Sequence, residues 1–366
     1  MKKFLLLVVA ATIISSLSFA TIRRVGYSGI QSALDYTSIN AANSASVNGD
    51  TLQIYGIVGT GTISKRLVII GFGYNFDVHP NLQVMSTTTP SYAVLNFAGG
   101  SDSSIVFGLS GSFTIQPSTT QTVSNITFRR CYGDFAFNNY TLSSGLISNI
   151  AIISSVITGG GCQYDVNHVG GEANLRAVTN ISVLNSYIYN FNLYKLGTSG
   201  SFVNCVMPAL SMVGAYALNL NQTSCLVSNC IFIGSGSAAN INTVYENNFF
   251  VEAQPAVLPF GSNNRWGQDY AVLFNRISTA NNNASFDRNA EFDENYFVLK
   301  AGSPAINGGF AGPGIVTDCG IFGGGASFAY KISGVPPVPS IYKLTAPTIS
   351  ATANPYNVTI SVRSNN

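Results

Sequence analysis

The stretch DVNHVGGEANLR gathers Asp165, His168, Glu172 and Arg176. An imidazole beside two carboxylates and a guanidinium is the donor set of a metal site or of an acid–base pair. The bland alternative is a polar surface loop hinged on Gly170 and Gly171. His168 is one of 2 histidines in the chain; the other is His79. A second cluster, Asp287, Glu291, Asp293 and Glu294 in FDRNAEFDENYF, is oxygen-rich in the way calcium favours. Its spacing is not that of an EF-hand and the turn glycine is missing, so a solvated acidic loop competes with it. A third chemistry, stacking on sugar rings, would need aromatic side chains on one surface. Tyr132, Tyr187, Tyr189 and Phe249 are the candidates. Cys205, Cys225 and Cys230 invite a metal reading, but their spacing fits no CxxC pattern and suits packing better.

Such residues need elements to hold them, and the chain supplies these as a repeat. LVSNCIFIG, starting at Leu226, has relatives in SNITFRRCYGD, SNIAIISSVITGG, TNISVLNSYIYN, SFVNCVMP and NTVYENNFFVE. Aligning them brings Cys131, Ser155, Ser186, Cys205, Cys230 and Asn248 into one column, with steps of 24, 31, 19, 25 and 18 residues. Short β-branched runs at an irregular period of roughly 20–30 residues indicate a coiled solenoid of strands. The column before it reads Arg130, Ser154, Asn185, Asn204, Asn229 and Asn247. Asparagines at the same corner of coils ~4.8 Å apart are expected to point inward and hydrogen-bond one another as a ladder. Cys205 and Cys230 should then be inward neighbours that remain free thiols. Ile157, Ile188, Met207, Phe232 and Phe250 fall in an interior column. Three rows face outward. Arg129, Ile153, Leu184, Val203, Ser228 and Glu246 form one, and Thr127, Ala151, Ser182, Ser201, Leu226 and Val244 the next. The third, Tyr132, Val156, Tyr187, Val206, Ile231 and Phe249, is apolar throughout. It is either an exposed binding face or a strip covered by insertion loops.

Composition narrows the class. Charged residues are 9% of 366, Gly numbers 36 and net charge is +2. That suits a β-rich extracellular protein and gives no argument for a nucleic-acid partner. Residues 1–20 read as a signal peptide, with Lys2 and Lys3, an apolar run from Phe4 to Ile14, and Ser18-Phe19-Ala20 as the cleavage site. No later run is apolar enough for a transmembrane helix. The expected location is secreted, extracellular or cell-surface, with the periplasm as the alternative. Residues 21–330 form one domain of about 10–12 coils. Pro336, Pro337 and Pro339 open residues 331–366, a Pro-rich segment whose NVTISVRS adds a strand, either folding back to cap the last coil or serving as a sorting tail.

The N-terminal block IQSALDYTSINAANSASVNGDTLQIYGIVGTGTISKRLVIIGFG resembles the opening of right-handed parallel β-helix proteins of the pectin-lyase-like superfamily. YFVLKAGSPAINGG, TDCGIFGGG and SGVPPVPSIYKLTAP resemble the closing coil and following segment of secreted proteins of this type from Bacteroidota. The resemblance covers roughly residues 27 to 345. It implies an all-β, right-handed parallel β-helix with an N-terminal capping helix, whose apolar stripe would be Ile30, Ala33 and Leu34. Lyases of that superfamily use aligned carboxylates that hold calcium plus a Lys or Arg base, and polygalacturonases use clustered aspartates. The first two outward rows carry no carboxylate pair, and Asn-Thr-Asp, Asp-Asp and Arg-Ile-Lys do not occur. The expected function is therefore a non-catalytic surface or secreted protein that binds a glycan or serves as an adhesin or structural component. The cofactor expectation is none, with calcium as the exception. The rival is a polysaccharide lyase or glycoside hydrolase acting on an acidic polysaccharide, with its site around Asp165.

Overall fold

The computed structural model describes residues 20–26, 35–79, 81–82, 91–117, 120–138, 145–162, 177–193, 197–207, 218–220, 223–233, 242–254, 261–275, 293–325, 329–345 and 358–365. The signal-peptide residues and the stripe at Ile30, Ala33 and Leu34 lie outside them. A seven-residue helix, Ile39–Ala45, does follow, N-capped by Ser38 Oγ and burying Ile39 and Ala42. No helix among the described residues is long and apolar enough to cross a membrane.

The chain is a parallel β-helix. One sheet runs ten strands deep from Ile22–Gly26 through Thr51–Tyr55, Val68–Ile70, Ile105–Phe107 and Thr127–Arg129 to Val244–Glu246. A second runs beside it from Ile57–Ile63 through Tyr92–Phe97 and Tyr132–Phe137 to Phe249–Phe250. Alternation explains why these segments are strands. Thr51–Tyr55 and Tyr92–Phe97 bury every second residue, as a pleated backbone with one face on a core requires. Each coil repeats the pattern in register. Leu52, Ile69, Val106, Phe128, Ile152, Val183, Phe202, Val227 and Tyr245 pair successively in one inward column, and all are buried. Ile157, Ile188, Met207, Phe232 and Phe250 lie in the same core. The stack ends on aromatic faces: Phe232 lies 4.5 Å from Phe250, and Phe250 lies 3.9 Å from Trp266.

The three outward rows also keep their register, but the third is not a surface. Val156, Tyr187, Val206, Ile231 and Phe249 are buried beneath Leu273, Phe274, Phe297, Cys319, Ile321 and Tyr330 in a second hydrophobic cluster. Among the described residues, those after Trp266 lie back along the outside of the coils. The physical reason is area: a continuous apolar strip this long is stable only when covered. Of the two readings of this row the covered one holds, and Tyr187 and Phe249 are not open to sugar rings. Tyr132 and Tyr189 remain partly exposed at the margin of that cluster. The Pro-rich segment leads into Ser340–Thr345, which pairs antiparallel with Thr359–Arg363. The end of this hairpin reaches Arg130 and Leu82.

Candidate functional site

The site is built on the corner between the two sheets. Gly108, Arg130, Ser154, Asn185, Asn204, Asn229 and Asn247 take left-handed backbone angles there, with φ between 48° and 57°. Asparagine and glycine tolerate that region best, which is why asparagine recurs. The four asparagines do share one corner, each N–H bonding the next coil: Asn185 to Val203 O, Asn204 to Ser228 O, Asn229 to Glu246 O and Asn247 to Ser262 O. Their side chains do not form the expected inward ladder. Asn185 Nδ2 donates to Ile321 O and Gly323 O, and Asn229 pairs with both backbone groups of Phe310. The left-handed turn aims these amides outward, where they hold the C-terminal cover.

Two other columns do the laddering. Asn180 Nδ2 donates to Asn149 Oδ1, and Asn149 Nδ2 to Asn125 Oδ1, at 2.7 and 3.1 Å. Inside, the N–H groups of Cys131, Ser155, Cys205, Cys230 and Asn248 donate to Ser155 Oγ, Ser186 Oγ, Cys230 Sγ, Asn248 Oδ1 and Asn264 Oδ1 of the following coil. All six cysteines are buried free thiols, and burial pushes Cys131, Cys162 and Cys319 up to about 12.

At the N-terminal end of this corner the chain leaves the coil after Val68–Ile70 and returns at Ser91. Gly71 and Gly73 bond Phe107 O and Gly108 O on the way out, and Tyr74 N bonds Ser333 O of the cover. The excursion carries His79 to the cover. Its Nε2 lies 2.9 Å from Glu294 Oε2 and 3.6 Å from Asp293 Oδ1. Glu294 is fully buried. Its Oε1 accepts from Ser333 N at 2.9 Å and from the Tyr330 hydroxyl at 3.3 Å, and Tyr330 lies 2.6 Å from the Tyr74 hydroxyl. The hydrogen bond to Glu294 holds the His79 imidazole above its ordinary pKa, outweighing the burial that pulls it down. Burial raises the Tyr74 and Tyr330 hydroxyls well above theirs, so both stay neutral donors.

On the other side of Tyr330 is a cleft of about 370 Å³, lined by Leu82, Arg130, Phe322, Tyr330, Lys331, Ile332, Val335, Arg363, Ser364 and Asn365. That is within the roughly 300–1,000 Å³ of small-molecule sites. Among its described walls three are cationic and none is acidic. Arg130 is 7% exposed and donates through Nη1 to Val335 O and Asn365 O. Burial, then the neighbouring Arg129, pulls it down to about 10, which leaves it charged at neutral pH. Arg363 lies over the Tyr342 ring and donates to Leu82 O, while its buried Nε finds no acceptor among the described residues. Among those residues, no carboxylate pairs with Arg130, Lys331 or Arg363.

Of the residues singled out in the sequence, Asp293 and Glu294 meet a histidine. Asp165, His168, Glu172, Arg176, Asp287 and Glu291 lie outside the described residues. His79 and the cleft were missed because their partners are 215 and 235 positions away along the chain. One signal was present: Arg130 stands in a column otherwise made of serine and asparagine.

No protein-family model matches the chain, and no curated protein matches it. Among solved structures, a chain described as "Crystal structure of pectate lyase Pel9A" is 15% identical, covers 84% of this chain and 98% of its own, and superposes with a TM-score of 0.33. By its own strand register, the protein is a parallel β-helix whose outer apolar row is roofed by its C-terminal segment.

Proposed function

We propose that the protein is exported and binds an acidic polysaccharide without cleaving it, holding an anionic sugar in the Arg130–Lys331–Arg363 cleft. One observation carries this reading: three cations line one cleft, with no acidic residue among its described walls. A guanidinium matches a carboxylate in plane and in donor spacing, which favours a uronate over a neutral sugar. Phe322 and Tyr330 supply apolar surface for the ring. The rival reading, a lyase or glycosidase, finds support in the hydrogen-bonded chain Tyr74–Tyr330–Glu294 at the cleft wall. Lys331 or Arg363 could serve such an enzyme as base, but the described walls of the cleft offer no carboxylates to hold calcium beside them.

The test is calorimetric titration with oligogalacturonate and with its methyl-esterified, uncharged form. Binding should be confined to the acidic oligomer and weaken as salt rises from about 50 to 500 mM. Lys331→Ala with Arg363→Ala should cost at least about tenfold in Kd, since a single charge-assisted hydrogen bond is worth roughly 1.5–3 kcal/mol. Equal affinity for the neutral oligomer would refute the cleft assignment. Release of unsaturated or reducing ends would replace binding by catalysis. Sequencing the N-terminus of protein recovered from the medium should return Thr21; an intact Met1 would refute processing.

A further inference from the structure

We propose that His79, Asp293 and Glu294 bind a divalent d-block cation, zinc above all, and that this ion fastens the excursion after Ile70 to the C-terminal cover. The proposal is independent of what the cleft binds. Three observations converge on it.

The first is geometry. One donor atom from each residue falls within 4.8 Å of the others. In a tetrahedral zinc site with bonds of about 2.0–2.1 Å, neighbouring ligand atoms stand ~3.3 Å apart. The separations from His79 Nε2, 2.9 and 3.6 Å, bracket that edge. The remaining edge, between the two carboxylates, is within 4.8 Å, so an ion enters by drawing the side chains together around it.

The second is donor chemistry. One imidazole nitrogen with two carboxylates suits zinc, whereas calcium takes six to eight oxygens and little nitrogen. The acidic sequence around Asp293 suggested calcium on its own; the arrival of His79 from the far end of the chain changes the preferred ion.

The third is charge and support. Glu294 is wholly buried, and the His79 and Asp293 side chains are only 12% and 17% exposed. A divalent ion beside a neutral imidazole would offset both carboxylates at once. Partners already orient the ligands, as metal sites require. Ser333 N and Tyr330 hold Glu294 Oε1, leaving Oε2 facing His79. Asn295 N and Nδ2 both donate to Asp293 Oδ1, the oxygen nearest His79, and fix where that carboxylate stands.

The experiment uses chelator-treated full-length protein and the metals alone. Zinc chloride titrated calorimetrically should bind one ion per chain that is lost in His79→Gln. Cobalt should give visible ligand-field absorption, and zinc should raise the melting midpoint by several degrees. His79→Gln and Asp293→Asn should each weaken zinc binding about 100-fold while keeping the metal-free far-ultraviolet spectrum. Zinc affinity unchanged in both variants would overturn the proposal. So would calcium binding as tightly as zinc, or no zinc binding to the wild-type chain.

Discussion

Ile231→Ala tests whether the outer apolar row is covered. Ile231 is 0% exposed and pairs in register between Val206 and Phe249. Gly320 of the cover comes close above it: a Cβ built on that glycine would stand 3.0 Å from Ile231 Cδ1. The substitution removes three buried carbons. At about 0.8 kcal/mol each, transfer alone costs roughly 2.4 kcal/mol, and the cavity left behind raises the total to about 3–4 kcal/mol. The control is Leu226→Ala, which truncates another outward residue of the same coil, one that is 38% exposed. It should cost no more than about 0.5 kcal/mol. Urea unfolding followed by circular dichroism reads both midpoints at constant slope. If Ile231→Ala falls within about 0.5 kcal/mol of Leu226→Ala, the row faces solvent and the cover described here does not sit on it. Limited proteolysis supplies a second readout: the segment from Trp266 to Tyr330 should be cut faster in Ile231→Ala than in Leu226→Ala.

Three further outcomes are expected. Asn229→Ala should destabilise by about 3 kcal/mol, from two hydrogen bonds to Phe310 at roughly 1 kcal/mol each plus the cost of a left-handed alanine; Asn229→Gly, which escapes the second term, should cost measurably less in the same urea assay. At Asp50, burial raises the pKa, but hydrogen bonds from Thr21 N, Val47 N and Arg23 outweigh it and the net shift is downward. Its contribution is therefore full above the unfolded value near pH 4 and is lost as pH falls through the lower folded value; Asp50→Asn should flatten the acid limb of a midpoint-versus-pH curve between about pH 2 and 5. Denatured, unreduced protein should titrate six thiols, while the native protein should react slowly, because the six thiols are buried and three are pushed up to about 12; a bridged Cys205–Cys230 pair by mass mapping would contradict the free-thiol column.

The coil register was legible because it rests on local periodicity. Alternating apolar positions and a small residue after each corner suffice to place Arg129 beside Ile153 and Ser228 beside Glu246. The reason for the corner asparagines was not legible. Hydrogen-bonding capacity and tolerance of positive φ select the same residue, and only coordinates separate them. The laddering asparagines, Asn125, Asn149 and Asn180, stood in the opening slot of the same motifs and carried no mark to distinguish them. The fate of the apolar row was open for a different reason. An exposed stripe and a covered one have the same sequence, and what covers it is a separate stretch of chain. The meeting of His79 with Glu294 is likewise a product of the return path of the chain, which no spacing rule encodes.

A stack of coils that touches only its nearest neighbours should fray from its ends, each turn opening almost independently. The returning C-terminal segment forbids this. Tyr74 meets Tyr330 across 256 positions, and Arg130 meets Asn365 across 235, so turns near both ends share one strap and must open together. The array thereby gains the all-or-none cooperativity of a globular domain, and with it a high contact order and slow closure. Synthesis runs from the N-terminus, so Val156, Tyr187 and Val206 emerge long before Phe297 and Ile321 exist to cover them. Through that interval the nascent solenoid carries a sticky flank, and a chain stopped short of residue 297 would keep it.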